Sequence, residues 1–444
     1  MTGEHDTIVA PATATGGAIA IIRLSGEAAF AICDTLFRGK TTLAAALPNT
    51  ILYGKILDHE RILDDVLVSV FRAPHSYTGE NAVEISCHGS RYIVSEMIAL
   101  LLHAGARMAT PGEFTSRAFL AGKLDLAQAE AVADMIASSS RTAHALASTQ
   151  MRGGYSQALS TLRERLVKLS ALLELELDFS EEDVEFADRR EIRNTLSEIG
   201  TQINSLRHSF ALGNAIKAGV TVAIVGEPNV GKSTLLNRLL NEERAMVSEI
   251  AGTTRDAIEE CVNIDGILFR FIDTAGIHTT TDQLEQMGIE RTFASIEQAQ
   301  IVLQMTDAAH PNVTPLAVRP DQKRFLIVNK IDTQPTTTLP DRSIGLSAKQ
   351  GVGIDTLQRA LCAAVDLEAL YQGDVVISNR RHYEALSAAY EALEHALIAI
   401  ANNTSADLLS EDIRQIIYHI GIITGAITND EILNTIFSKF CIGK

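Results

Sequence analysis

The chain has 444 residues, five cysteines, no tryptophan and a net charge of −17. That length is too great for one hydrophobic core and predicts two to four domains, and the alanine–leucine–glutamate bias favours helix. The acidic balance argues against a protein that coats DNA or RNA non-specifically, which leaves room only for a small basic patch that positions one structured RNA.

Cys33, Cys87, Cys261, Cys362 and Cys441 are odd in number and scattered, with no Cys-x-x-Cys pair. That pattern fits reduced thiols in a cytoplasm and no structural zinc. No basic region leads an apolar run at the N-terminus and no apolar stretch reaches spanning length, so a soluble cytoplasmic protein with no membrane contact is expected.

Residues 1–120 read as an α+β domain. Residues 18–24 form a short apolar strand behind a Gly16-Gly17 turn, and 66–71 and 82–86 read as two more strands. Residues 92–104 have helical apolar spacing. From 121 to 218 the pattern becomes long helices: 124–138 carries an apolar stripe, and 159–177 repeats leucines at i, i+3, i+4 and i+7. Glu181-Glu182-Asp183 and Asp188-Arg189-Arg190 read as exposed charged turns in that run.

A different pattern occupies 219–369. The apolar run 220–225 leads into Gly226-Glu227-Pro228-Asn229-Val230-Gly231-Lys232-Ser233, a G-x-x-x-x-G-K-S loop, and then into a helical stretch from Thr234. A buried strand feeding a glycine loop and a helix N-terminus aims backbone N–H groups at an anion. Lys232 can neutralise the β- and γ-phosphates of a nucleotide, and the Ser233 hydroxyl can ligate Mg²⁺.

Four further elements follow in order. Gly252-Thr253-Thr254-Arg255-Asp256 lies where a switch segment belongs, and a threonine hydroxyl there, Thr254, can complete the Mg²⁺ shell. Asp273-Thr274-Ala275-Gly276 ends the strand 267–272; its aspartate reaches Mg²⁺ through water, and Gly276 lets the backbone approach the γ-phosphate. The strand 324–328 delivers Asn329-Lys330-Ile331-Asp332, whose Asp332 can accept from N1–H and the 2-amino group of guanine. Ser347-Ala348-Lys349 offers a backbone N–H to the guanine O6. Five elements in register predict a guanine-nucleotide domain, similar to translation-factor-type small GTPases.

Ras-like enzymes follow Asp-Thr-Ala-Gly with a glutamine that orients water; here the residue is Ile277. Either hydrolysis is very slow or another group is recruited. Glu285 is the candidate, acting through a bridging water; the alternative is an exposed carboxylate on a helix. Asn229, with Ser248, the Ile250 carbonyl and Thr253, could cage K⁺ beside the phosphates, a charge that does the work of an arginine finger.

Helical periodicity returns after residue 373, in 383–401, 410–421 and 429–437. The expected architecture is a mixed α/β and α multidomain chain. An α+β domain (1–120) precedes a discontinuous helical domain (121–218 and 370–444) into which a Ras-like P-loop domain (219–369) is inserted.

The chain stops at Phe440-Cys441-Ile442-Gly443-Lys444. It has Cys-a-a-X spacing, but Gly443 is not aliphatic and Lys444 is a poor final residue for a prenyl signal. With the asparagine-bearing phosphate loop and Ala251-Gly252-Thr253-Thr254-Arg255-Asp256, this ending resembles the MnmE (TrmE) family of tRNA modification GTPases. So do Asp6-Thr7-Ile8-Val9-Ala10, Tyr77-Thr78-Gly79-Glu80, Pro111-Gly112-Glu113-Phe114-Thr115 and Lys123-Leu124-Asp125-Leu126-Ala127-Gln128-Ala129-Glu130.

The resemblance implies an N-terminal domain that dimerises and binds a one-carbon tetrahydrofolate (5-formyl or 5,10-methylene), and a GTPase domain that works by K⁺-dependent dimerisation. It further implies a homodimer that joins the flavoprotein MnmG in a heterotetramer. Together they would add an aminomethyl or carboxymethylaminomethyl group to C5 of wobble uridine 34 in certain tRNAs. Nucleotide contacts would run through Ser248-Glu249-Ile250-Ala251-Gly252 as well as the loops above. Folate contacts would be Arg23, Glu80, Lys123 and Lys444: a carboxylate pairs with the donor edge of a pterin, and cations suit the glutamate tail. Cys441, near Lys444, is either a nucleophile or redox thiol or a packed, incidental one. Ser248 stands where the family commonly has threonine, and it keeps the hydroxyl.

Overall fold

The structure, a computed structural model, describes residues 6–178, 189–244, 260–272, 296–335, 338–365, 375–402, 404 and 406–444. Residues up to Ala133 together with Ile420–Lys444 form one unit, and Asp134–His419 form a second.

The first unit is built on a sheet of β1 (Ile8–Pro11), β2 (Ile19–Ser25), β3 (Phe37–Gly39), β4 (Thr50–Asp58), β5 (Arg61–Phe71), β6 (Ala82–His88) and β7 (Arg107–Met108), in the order β3-β4-β5-β6-β2-β1-β7. All pairs are antiparallel except β1 with β7. Alternation sends Ala20, Ile22 and Leu24 of β2 and Val66, Val68 and Val70 of β5 into one core. The helices Ala29–Leu36 and Arg91–His103 cover it through Phe30, Val94, Met97 and Leu101.

β1, β3, β4 and β7 are short or carry mixed apolar patterns, and the sequence reading did not find them. The C-terminal helix Asp430–Phe437 begins at Asn429, whose side chain accepts from Ile432 N, and it buries Ile436 and Phe437 against Leu126 and Ala129.

The second unit holds a sheet of β8 (Val220–Gly226), β9 (Glu260–Ile264), β10 (Ile267–Phe271), β11 (Ile301–Asp307), β12 (Lys323–Asn329) and β13 (Ser343–Gly345), in the order β13-β12-β11-β8-β10-β9. Only the β9–β10 hairpin is antiparallel among these pairs. The chain leaves β8 toward β10 on one side and returns as β11 on the other. The carboxyl end of β8 is therefore the switch point where an open α/β sheet binds ligands.

The helical segments on either side of this sheet meet, so the helical domain is discontinuous and the nucleotide domain is its insert. The helix Arg189–Ala218 packs along Arg380–Ala401: Phe210 stacks on Tyr383 with centroids 4.6 Å apart, and Arg207 lies 4.5 Å over the ring of Tyr390. Arg189 and Arg190, expected in a charged turn, instead open that helix; an Arg189–Glu176 ion pair of 2.9 Å accompanies its first turn. Glu181-Glu182-Asp183 and Asp188 lie outside the described residues. Among the described residues no helix is long and apolar enough to cross a membrane, and no cluster of three or more His, Cys, Asp or Glu could hold a metal.

Candidate functional site

The phosphate loop sits at the carboxyl end of β8 and runs into the helix Lys232–Arg244. Its first helical bond is Leu235 N to Gly231 O at 3.0 Å, so the N–H groups before it have no acceptor within the helix. Gly231 has φ of +100°, and a Cβ there would lie 2.3 Å from Asn329 Nδ2. The backbone bends this tightly because there is no side chain. Lys232 Nζ donates to the Gly226 and Glu227 carbonyls at 2.8 and 2.9 Å. Burial pulls its pKa below the ordinary lysine value. A phosphate beside the ammonium would favour its charged form and compensate for that burial. The half-buried Ser233, expected to offer Mg²⁺ a hydroxyl, stands beside it at the helix start.

The residues expected to read the base lie near the phosphate loop, to which Asn329 is bonded. Asn329, 3% exposed, ends β12; its Nδ2 donates to Val230 O at 2.7 Å and its Oδ1 accepts from Ala348 N at 3.0 Å. Lys330 follows with φ of +61° and its Nζ 3.7 Å from Asp307 Oδ2. Asp332 Oδ2 receives a long contact, 3.5 Å, from Gln350 Nε2. Ser347 is buried, its N–H donating to Val352 O and its Oγ accepting from Gln350 N, which shapes the Ser347-Ala348-Lys349 turn.

Sequence reasoning missed Arg238. From the helix after the phosphate loop it donates to Ala348 O at 3.2 Å and Lys349 O at 2.6 Å. Its partners are more than a hundred positions away, so no local pattern could have revealed it.

Several expected site residues lie outside the described residues: Ser248, Glu249, Ile250, Ala251, Gly252, Thr253, Thr254, Asp273, Thr274, Ala275, Gly276 and Glu285. Of the K⁺ set only Asn229 is described, with φ of +65°.

In the first unit, Arg23 on β2 pairs across the strand with Glu84 on β6 at 2.8 Å. Its Nη1 donates to Gly443 O at 3.4 Å, and its guanidinium lies 5.8 Å from the Tyr77 ring centroid and 5.6 Å from that of Phe114. Gly443 is pressed onto β1, where a Cβ would fall 2.1 Å from Pro11 O. Only glycine lets the terminal residues lie there, and Lys444 and the exposed Cys441 flank that anchor. Ser25, two residues along β2 and on the same face as Arg23, donates to Glu80 Oε2 at 2.6 Å. Lys123 runs its stem beside Gly79, next to Glu80.

Arg23 and the Ser25 that holds Glu80 thus share one face of β2, while Lys123 lies beside Gly79 and Lys444 follows the anchored Gly443. A held carboxylate that can accept from ligand N–H groups, with cations in the same unit, fits a pterin with an acidic tail. By contrast, burial pushes the Cys33 thiol far up and those of Cys87 and Cys362 up to about 11, which leaves all three inert as nucleophiles near neutral pH.

Residues 7–123 match the family described as GTP-binding protein TrmE N-terminus, and 126–441 match the MnmE helical domain. A tRNA modification GTPase MnmE of Bacteroides fragilis is 50% identical, over 99% of this chain and 100% of its own length. Its namesake from Cytophaga hutchinsonii is also 50% identical, over 100% of this chain and 99% of its own. That of Flavobacterium johnsoniae is 48% identical over 99% and 100%. With relatives aligned end to end and family models matching 7–123 and 126–441, the chain belongs to the MnmE (TrmE) family of tRNA modification GTPases.

Proposed function

We propose that this protein hydrolyses GTP in a K⁺-dependent cycle that drives modification of C5 of wobble uridine 34 in certain tRNAs, together with the flavoprotein MnmG. The observation that carries the reading is the convergence of three separated segments on one sheet edge. Asn329 ties the phosphate loop to the Ser347-Ala348-Lys349 turn, so a bound phosphate and a guanine would be held by one rigid frame. Lys232 and the loop N–H groups bind the phosphates, and Asp332 reads the base.

Mg²⁺, held by Ser233 and Thr254, would neutralise charge developing on the phosphates. K⁺, held by Asn229, Ser248, Ile250 and Thr253 once two GTPase domains pair in the homodimer, would add a further positive charge. Glu285 orients water through a second water. The division into 1–120, 121–218, 219–369 and 370–444 assigns folate binding and dimerisation to the first part and tRNA-coupled motion to the helical parts. In the first, Arg23, Glu80, Lys123 and Lys444 would hold a tetrahydrofolate, which supplies a one-carbon unit when bound. The setting is cytoplasmic, with tRNA as the nucleic-acid partner.

The rival is a ribosome-assembly or regulatory GTPase switch that does no chemistry on RNA. Mass spectrometry of tRNA nucleosides from a strain lacking the gene separates the two. Loss of the C5 modification at the wobble position is expected, and its persistence would favour the switch.

A further inference from the structure

Arg117 plays no part in the site as read from the sequence, yet its contacts converge on Glu80. It lies on the helix Glu113–Leu120 with its side chain 14% exposed. Nη1 donates to Glu80 Oε1 at 3.0 Å, to Glu80 Oε2 at 3.3 Å and to the Asp6 carbonyl at 2.9 Å. Nη2 donates to Asp6 Oδ1 at 2.5 Å and Glu113 Oε1 at 2.9 Å. Arg107 closes the other side, with Nε 2.6 Å from Asp6 Oδ2 and Nη2 2.6 Å from Glu113 Oε1.

Asp6 and Glu113 therefore each sit between two guanidiniums and form a closed ring of charge. Glu80 is the appended member. It is held by Arg117 on one side and by Ser25 Oγ on the other, and Ser25 in turn is 2.6 Å from Thr78 Oγ1. A carboxylate offers about four lone-pair sites. The 3.3 Å contact is the long arm of a shared donor, so each Glu80 oxygen retains a site for a ligand N–H.

We propose that Arg117 is the positioning residue for Glu80: it clamps this carboxylate so that both oxygens present to the paired N–H donors of a 2-amino-4-oxo pterin. The inference rests on the folate reading above and adds to it the residue that sets the geometry. A guanidinium fixed by two other carboxylates can hold Glu80 in one rotamer, so no side-chain freedom is lost when the ligand docks. A lysine keeps the charge but loses the planar fork.

The test is calorimetric binding of 5-formyltetrahydrofolate to the full-length protein and to its Arg117→Lys, Arg107→Lys and Glu80→Gln variants, each with an unliganded melting curve. Both arginine variants break the ring, so both should melt earlier. Arg117→Lys should bind about tenfold more weakly or worse, whereas Arg107→Lys, which does not touch Glu80, should stay within about twofold. Equal binding by Arg117→Lys and wild type, or an equal loss in Arg107→Lys, would make the ring merely structural and overturn the proposal.

Should Arg117→Lys fail to fold, Asp6→Asn takes its place. It loosens the guanidinium without touching Glu80, is expected to weaken binding, and overturns the proposal if affinity is unchanged. Absence of binding by wild type would instead remove the folate reading itself, and the inference with it. Unchanged binding by Glu80→Gln would remove Glu80 from the pterin edge.

Discussion

Asn329 and Val230 are joined by a buried hydrogen bond of 2.7 Å, although 99 residues separate them. The same side-chain amide accepts from Ala348 N at 3.0 Å. One residue therefore braces the phosphate loop and the Ser347-Ala348-Lys349 turn against each other. Asn329→Ala would leave the Val230 carbonyl and the Ala348 N–H buried without this partner, a cost of about 1–3 kcal/mol. Expressed in GTP affinity that is roughly a five- to 150-fold loss, to be read by titration with a fluorescent guanine nucleotide. Unaltered affinity would mean the two loops hold their shape independently.

Glu285 is expected to matter for turnover and not for binding. Ile277 cannot orient water, so Glu285→Ala should nearly abolish K⁺-stimulated hydrolysis while GTP affinity is retained. Phosphate release measured in K⁺ and in Na⁺ buffers checks both halves. Normal turnover in K⁺ would remove Glu285 from the mechanism.

The ring around Glu113 predicts an acid-sensitive first unit. Burial alone would raise the Glu113 pKa, but bonds from Arg107, the Thr110 backbone and Arg117 prevail and hold it at about 2, against an ordinary 4.5. The folded value lies below the unfolded one. The stability this group contributes is therefore present above about pH 4.5 and is lost as pH falls toward 2. Asp6 is lowered in the same sense, with its bond to Arg107 the largest cause. Melting curves between pH 6 and pH 3 should show a falling midpoint, and Glu113→Gln should both lower the midpoint near neutrality and flatten that slope. A wild-type slope kept by the variant would assign the acid sensitivity elsewhere.

Thr142 docks the β9–β10 hairpin on the helical segment. Its N–H and Oγ1 both donate to Gly266 O, at 3.2 and 2.9 Å. In sequence the hairpin follows Gly252-Thr253-Thr254-Arg255-Asp256 and precedes Asp273-Thr274-Ala275-Gly276. Thr142→Val keeps the shape and deletes the hydroxyl bond, and should cost about 1 kcal/mol of stability. The expected pattern is a lower thermal midpoint with unchanged GTP affinity, measured by calorimetry and nucleotide titration. A drop in affinity would show that the hairpin shapes the nucleotide site directly.

The sequence alone determined the chemistry of the nucleotide domain. A phosphate loop needs a fixed spacing of glycines, lysine and serine because its N–H groups must surround one anion, and that requirement is local. The strands 220–225 and 324–328 and the flanking helices were legible for the same reason, since burial imposes a period on consecutive residues.

Short or half-exposed strands such as β1 and β4 escaped, because their pairing partners supply what their own pattern lacks. Only the tertiary structure decided that Arg238 grips the Ala348 and Lys349 carbonyls, and that Arg117 reaches Glu80 from a different element. It likewise brought Gly443 to Arg23 across 420 positions. Such contacts arise from chain topology: hydrogen bonds between side chains far apart in sequence leave no periodicity, and they exist only once the sheet has brought their elements together.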